Sequence, residues 1–273
     1  MLTWLARRAA KQMRLDNLYD RVGSFASPFR GVYDSWAAAQ RAIPAGQRVG
    51  YNHAEAVSMY TKYLEKIRPS DYAALFWMKS VIEESSSVFD LGGNIGLAYY
   101  AFRRYLNYPS NLRWTVCDLP EIVQAGRDLA RERNVTGLAF TEDSCDAESA
   151  DILLTAGTLQ YMQTPLSEIL SPLGSKPKHL LVNRTPLYEG DTFHTVQYLP
   201  PMSLIYRVFN REVFIDSILA LGYELVDSWD IAEPSCGQCV IPFHPDRAIH
   251  AYTGLYFKLN LGPTAGGIAN VRF

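Results

Sequence analysis

The chain has 273 residues and a formal net charge of −2, with 48% hydrophobic and 20% charged residues. That composition is able to bury a sizeable core, and the length is long for one domain and short for two full ones. The charge balance offers no strong positive field to a nucleic acid, and the lack of any run of about eighteen apolar residues argues against a transmembrane span.

The N-terminus, Met1-Leu-Thr-Trp-Leu-Ala-Arg-Arg8, lacks the apolar core of a signal peptide. With only four cysteines, Cys117, Cys145, Cys236 and Cys239, this fits a reducing cytoplasm. Residues 1–20 read as a short basic helix, suited either to docking on its own domain or to peripheral contact with an anionic membrane surface. Ser35 to Ala42 reads as a short helix stopped by Pro44. A helix over 51–67 puts Val57, Tyr60, Leu64 and Ile67 on one face, and a second runs from Asp71 to about Glu84. Residues 1–84 are therefore expected to form a helical cap.

Ser85 to Gly96 begins the main domain, expected over 85–260. Val88 and Phe89 read as a buried strand closed by Asp90, Gly92, Gly93 and Gly96 as a tight turn, and Ile95 to Tyr105 as a helix. Strand, glycine turn and helix form the first unit of a doubly wound sheet, with free backbone N–H groups for an anion at the turn. Arg113–Asp118 is a second strand, and Pro120 opens a helix to Arg133. Leu138–Thr141, Ala150–Ala156 and Lys178–Asn183 are the next strands, the middle one almost wholly apolar, as a strand buried on both faces should be. Arg184 to Tyr206, with Pro186, Pro200 and Pro201, reads as a long binding loop. Asn210 caps a helix that ends at Gly222. Tyr223–Trp229 and His250–Leu259 alternate like strands with no helix between them, so they should pair antiparallel. The fold class expected is α/β, a Rossmann-like seven-stranded sheet with its last strand antiparallel. The Gly-rich tail 261–273 is expected to be loose.

The turn does not match G-x-G-x-x-G, because Asn94 stands where the second glycine belongs, and it lacks the Gly-Lys-Ser/Thr ending of a P-loop. Asp118 closes the second strand, where nicotinamide and adenosyl ligands alike place a carboxylate on ribose hydroxyls. Asp90-Leu-Gly-Gly-Asn-Ile-Gly96, Cys117-Asp-Leu-Pro-Glu-Ile-Val123 and Thr155-Ala-Gly-Thr-Leu-Gln-Tyr161 together resemble the motifs of class I S-adenosylmethionine-dependent methyltransferases. Gly31-Val-Tyr-Asp-Ser-Trp36, Asn183-Arg-Thr-Pro186 and Tyr252-Thr-Gly-Leu-Tyr-Phe257 resemble a bacterial methyltransferase family found with surface-polysaccharide genes.

The resemblance implies S-adenosylmethionine as cofactor, held by Asp90, Gly92, Gly93, Asn94 and Gly96 at its methionine end. It implies Asp118 on the ribose, Leu119 on the adenine face and Asp143 with Ser144 at the adenine amino group. It implies O-methylation of a sugar of a cell-surface glycan or its precursor. The rivals are a natural-product O-methyltransferase, a silent cofactor-binding assembly partner and a nicotinamide dehydrogenase. His194 is the first candidate base, Tyr161 and Gln160 would orient an acceptor, and Arg184 and Arg207 would bind an acidic group or pair with a local acid. His53 and Tyr51 would touch the cofactor from above. Cys236-Gly-Gln-Cys239 with His244 and His250 fits no zinc spacing, so no metal is expected.

Overall fold

In the computed structural model the described residues are 27–44, 48–52, 61, 63–199, 202–232, 239–242 and 244–260. The helix expected over 1–20, the middle of that over 51–67 with His53, Cys236 and the tail 261–273 lie outside them. The chain begins with β1 (Phe29–Tyr33), α1 (Trp36–Ala42) and β2 (Arg48–Val49), followed by α2 (Tyr72–Val81). An alternating run follows: β3 (Ser87–Leu91), α3 (Leu97–Phe102), β4 (Arg113–Cys117), α4 (Pro120–Glu132), β5 (Leu138–Thr141), β6 (Ile152–Ala156), α5 (Leu166–Leu170) and β7 (His179–Thr185). Then come β8 (Leu187–Tyr188), β9 (Phe193–Leu199), β10 (Met202–Asn210), α6 (Arg211–Leu219), β11 (Tyr223–Ile231) and β12 (Tyr252–Leu259).

Seven strands form one sheet in the order β11-β12-β7-β6-β3-β4-β5. β5, β4, β3, β6 and β7 are parallel, while β12 is antiparallel to both β7 and β11. This is the Rossmann-like sheet with a reversed closing strand that the alternating pattern predicts. Strand alternation divides the core between its two faces. Phe89, Leu153, Leu180 and Phe257 pack on one face with Leu166, Leu170, Phe214 and Ile218 of α5 and α6. Val88, Leu154, Leu181 and Tyr256 pack on the other with Met78 of α2, Tyr100 of α3 and Val123 of α4. Each such buried aliphatic side chain contributes roughly 1.5–3 kcal/mol. The helix signals are local. Pro120 opens α4, and Asn210 accepts from Val213 N at 2.8 Å to cap α6.

The second sheet differs from the sequence expectation. β1, β9, β10 and β2 lie side by side in that order, with β8 against β10. The segment 184–206 is therefore mostly a β-hairpin, paired from Leu199↔Met202 to Phe193↔Val208, and not a long loop. Its residues explain this: Thr195, Val196, Tyr198, Ile205, Tyr206 and Val208 are β-branched or aromatic and suit a pleated surface. Pro186 separates β7 from β8, and the proline count over 184–206 hid the alternation in this segment. The N-terminal segment is likewise not all helix, because β1 and β2 flank this hairpin. Ser35 caps α1 by accepting from Ala38 N at 3.2 Å. Among the described residues no helix is long and apolar enough to cross a membrane.

Candidate functional site

A cavity of about 530 Å3 opens where the carboxyl ends of β3, β4, β6 and β7 meet β10 and α1. Its size is that of a small-molecule site. It lies where strand order reverses, with β4 on one side of β3 and β6 on the other, the crevice where open α/β sheets take ligands.

The glycine turn forms one wall. Gly92 has φ +72°, and a Cβ there would stand 2.1 Å from the Thr158 side chain. Asn94 adopts the left-handed φ of +56°, which Asn tolerates better than most residues, so it fills the place of the missing fingerprint glycine. The half-buried Asp118 faces this turn. Its Oδ2 accepts from Asn94 N and its Oδ1 from Leu119 N, each at 2.8 Å. Burial pushes its pKa up, against the pull of the Leu119 and Asn94 N–H groups. Each carboxylate oxygen keeps a further acceptor site. Leu119, Ile122, Glu142 and Ser144 continue this turn side.

Other expected contacts lie off the wall. Asp90 sits within β3, not at its end, and is 2% exposed. It accepts from Trp114 Nε1 at 3.2 Å beneath the turn, and a Cβ on Gly93 would meet its carboxyl at 2.4 Å. Burial pushes its pKa up to about 7, with Trp114 opposing and the charge of Asp118 adding to the rise. Gly93 and Gly96 shape the turn from behind. Asp143 turns aside and accepts from Cys145 N at 2.8 Å, capping a short turn. Glu142 and Ser144 are the polar residues of that segment on the cavity wall.

The opposite, roof side is formed by Ala156, Gly157, Thr158, Tyr161, Met162 and Arg184 below, with Trp36, Leu204 and Ile205 above. Tyr161 donates to Gln197 Oε1 at 2.8 Å, and its ring meets Tyr51 edge-on at 5.4 Å. Arg184 pairs with Asp71 and donates to the Ala156 carbonyl at 3.0 Å, so its charge is cancelled within the wall. Arg68 also lines the cavity, its guanidinium 5.2 Å from the Tyr63 ring centre. No carboxylate among the described residues lies within ion-pair distance of Arg68.

His194 is not on the wall. It lies in β9, is 7% exposed and stands behind Trp36, whose ring it meets edge-on at 6.1 Å. Its Nε2 accepts from Arg207 Nε at 3.2 Å. Burial first, then the Arg207 charge, lowers its pKa to about 4, with a smaller opposing effect from the Tyr33 backbone. It is a neutral imidazole with its acceptor nitrogen occupied, so it is not placed to take a proton in the cavity. Gln160 is buried and does not line the cavity.

No known family profile matches the chain, and no curated protein matches it in sequence. The fold has solved counterparts. One is an S-adenosylmethionine-dependent methyltransferase from Mesorhizobium loti, 11% identical with a TM-score of 0.47, spanning 69% of this chain and 97% of that one. Another is the 1,6-didemethyltoxoflavin-N1-methyltransferase of Burkholderia thailandensis, solved with S-adenosylhomocysteine, 18% identical with a TM-score of 0.46, over 80% and 97% of the two chains. A third is the magnesium protoporphyrin IX methyltransferase of Synechocystis, also with S-adenosylhomocysteine, 10% identical with a TM-score of 0.46, over 77% and 96%. At these identities the likeness extends to the fold and no further.

Sequence reasoning missed Trp36, Arg68, Met162, Leu204 and Ile205. Arg68 precedes a proline and carries no motif, while Trp36 closes the segment Gly31–Trp36, whose resemblance assigns it no role at the cavity. Leu204 and Ile205 reach the cavity only because the hairpin folds over it, which no local pattern announces.

Proposed function

We propose that this protein is an S-adenosylmethionine-dependent methyltransferase acting on a small-molecule acceptor. The observation that carries the reading is Asp118, held by Asn94 N–H and Leu119 N–H with acceptor sites to spare, on a cavity at the strand-order reversal. The residues suit the cofactor. Asp118 would accept from the ribose hydroxyls, while Leu119 and Ile122 offer apolar surface to the adenine, with Glu142 and Ser144 at its polar edge. Arg68 would meet the carboxylate of the methionine end, a charge-assisted contact that no acid of the described chain competes for. Bound there, the cofactor supplies an activated methyl group on a sulfonium.

The chain's own contribution is placement and exclusion of water. Holding an acceptor in line is worth several kcal/mol. Tyr161, Met162, Leu204, Ile205 and Trp36 form a largely apolar roof side that suits a compact acceptor and keeps out solvent. A sugar acceptor, the finer expectation from the sequence, needs several hydrogen-bond partners. On the roof side Tyr161 already donates to Gln197 and Arg184 is paired with Asp71, so the apolar acceptor is favoured. Methyl transfer from labelled S-adenosylmethionine, compared across phenols, aromatic amines and nucleotide sugars, tests the reading. Label in an organic-extractable product is expected; transfer to nucleotide sugars alone, or to nothing, contradicts it.

A further inference from the structure

The roof side has a buried cation behind it. Arg207, on β10, is 8% exposed, and its guanidinium lies 5.9 Å from the Trp36 ring centre and 5.5 Å from that of Phe209. It donates to His194 Nε2 at 3.2 Å and to the Gln163 carbonyl at 2.7 Å. Both partners are neutral, and no carboxylate among the described residues lies within ion-pair distance. Glu168 acts on it only from farther away, and burial lowers its pKa. A cation this poorly screened projects its field through the indole it backs. Trp36 in turn lines the cavity.

The other charged groups at this end do not cancel that field. Arg184 is neutralised by Asp71, Tyr161 is engaged with Gln197, His194 is neutral, and Arg68, also on the wall, would be paired with the carboxylate of the bound donor. Asp118 and Glu142 belong to the turn side. The roof side therefore combines aromatic surface from Trp36, Tyr51 and Tyr161 with a positive potential and few groups to bind a polyol.

We propose that this end of the cavity binds a flat aromatic hydroxyl compound, with Arg207 behind Trp36 favouring its phenolate form. This rests on the methyltransferase reading for its purpose, but not for the binding itself. The phenolate is the form with a free nucleophilic oxygen, so the site needs no histidine base on its wall. His194 becomes a positioning residue: its Nε2 holds the guanidinium against the indole.

The test titrates the protein, saturated with S-adenosylhomocysteine, with 4-nitrophenol and reads phenolate absorbance. The bound phenolate-to-phenol ratio is expected to exceed the free ratio at the same pH by about tenfold. Arg207→Met should return it to the free value, and Arg207→Lys should keep part of the rise. Trp36→Leu should weaken 4-nitrophenol about tenfold while leaving S-adenosylhomocysteine affinity unchanged. If Arg207→Met does not fold, the native ratio decides. A native protein that binds S-adenosylhomocysteine but not millimolar 4-nitrophenol, or binds it at the free ratio, overturns the proposal. Binding of 4-nitrophenol with the raised ratio but without any S-adenosylhomocysteine affinity supports it and removes the donor reading instead.

Discussion

The two sides of the cavity are built differently. The turn side is made by consecutive residues at the ends of neighbouring parallel strands, and its polar groups are backbone N–H donors and carboxylates, joined by Arg68 for the donor's own carboxylate. The roof side joins α1, the end of β6, the start of the Leu159–Tyr161 turn and β10, which come from distant parts of the chain. Its charged members are arginines, either paired inside the wall or buried behind it. A site assembled locally leaves a motif; one assembled by folding a hairpin over a sheet does not. The comparison also separates a side suited to the hydroxyl-rich, cationic parts of a donor from one suited to an aromatic acceptor.

Breaking the turn side should have the largest effect. Gly92→Val places a side chain against Thr158 at a left-handed φ, so it should abolish S-adenosylhomocysteine binding by calorimetry and lower thermal stability by about 2–3 kcal/mol. Arg68→Met should weaken S-adenosylhomocysteine by about tenfold, a loss of ~1.4 kcal/mol, and leave 4-nitrophenol affinity intact. Equal losses for both ligands would place Arg68 between the two sides.

Two buried groups give the sides opposite responses to pH. Asp90, under the turn, has its pKa raised to about 7 from an unfolded value of about 3.9. Its contribution is present below about 4 and is lost as pH rises to about 7. His194, behind the roof, has its pKa lowered to about 4 from about 6.5, so stability tied to it is present above 6.5 and is lost as pH falls towards 4. Asp90→Asn should therefore make Tm climb more steeply from pH 4 to 7 than in the native protein, and His194→Gln should make it climb less steeply. Thermal unfolding across that range checks both slopes. The pH profile of methyl transfer should keep the same limbs in His194→Gln as in the native protein, because no proton passes to that ring; loss of a limb in the variant would contradict this.

Much of the turn side was legible in the sequence. The alternation of strands and helices, Pro120, the Asn210 cap and the closing antiparallel pair all follow from local pattern, and the structure has them where the pattern puts them. Asn94 was the instructive misfit: its departure from glycine signalled a different ligand class, and its left-handed φ shows how the turn still closes. Asp90 and Asp143 carry the right charge in the right segment, yet burial under the turn and a local cap take them off the wall, which spacing does not reveal. His194 failed as a base because its strand, not a loop, sets its direction. The roof side was hidden because the prolines in the sequence 184–206 masked the β-branched alternation that builds it.

The account rests on Asp118 gripping a ribose across from the glycine turn. Calorimetry of S-adenosylhomocysteine against the native protein and Asp118→Ala tests this directly. The account predicts one-to-one binding to the native protein and a loss of about 100-fold, ~3 kcal/mol, in the variant with its fold retained. Equal affinity in the two proteins, or no binding to the native one at millimolar ligand, would contradict it.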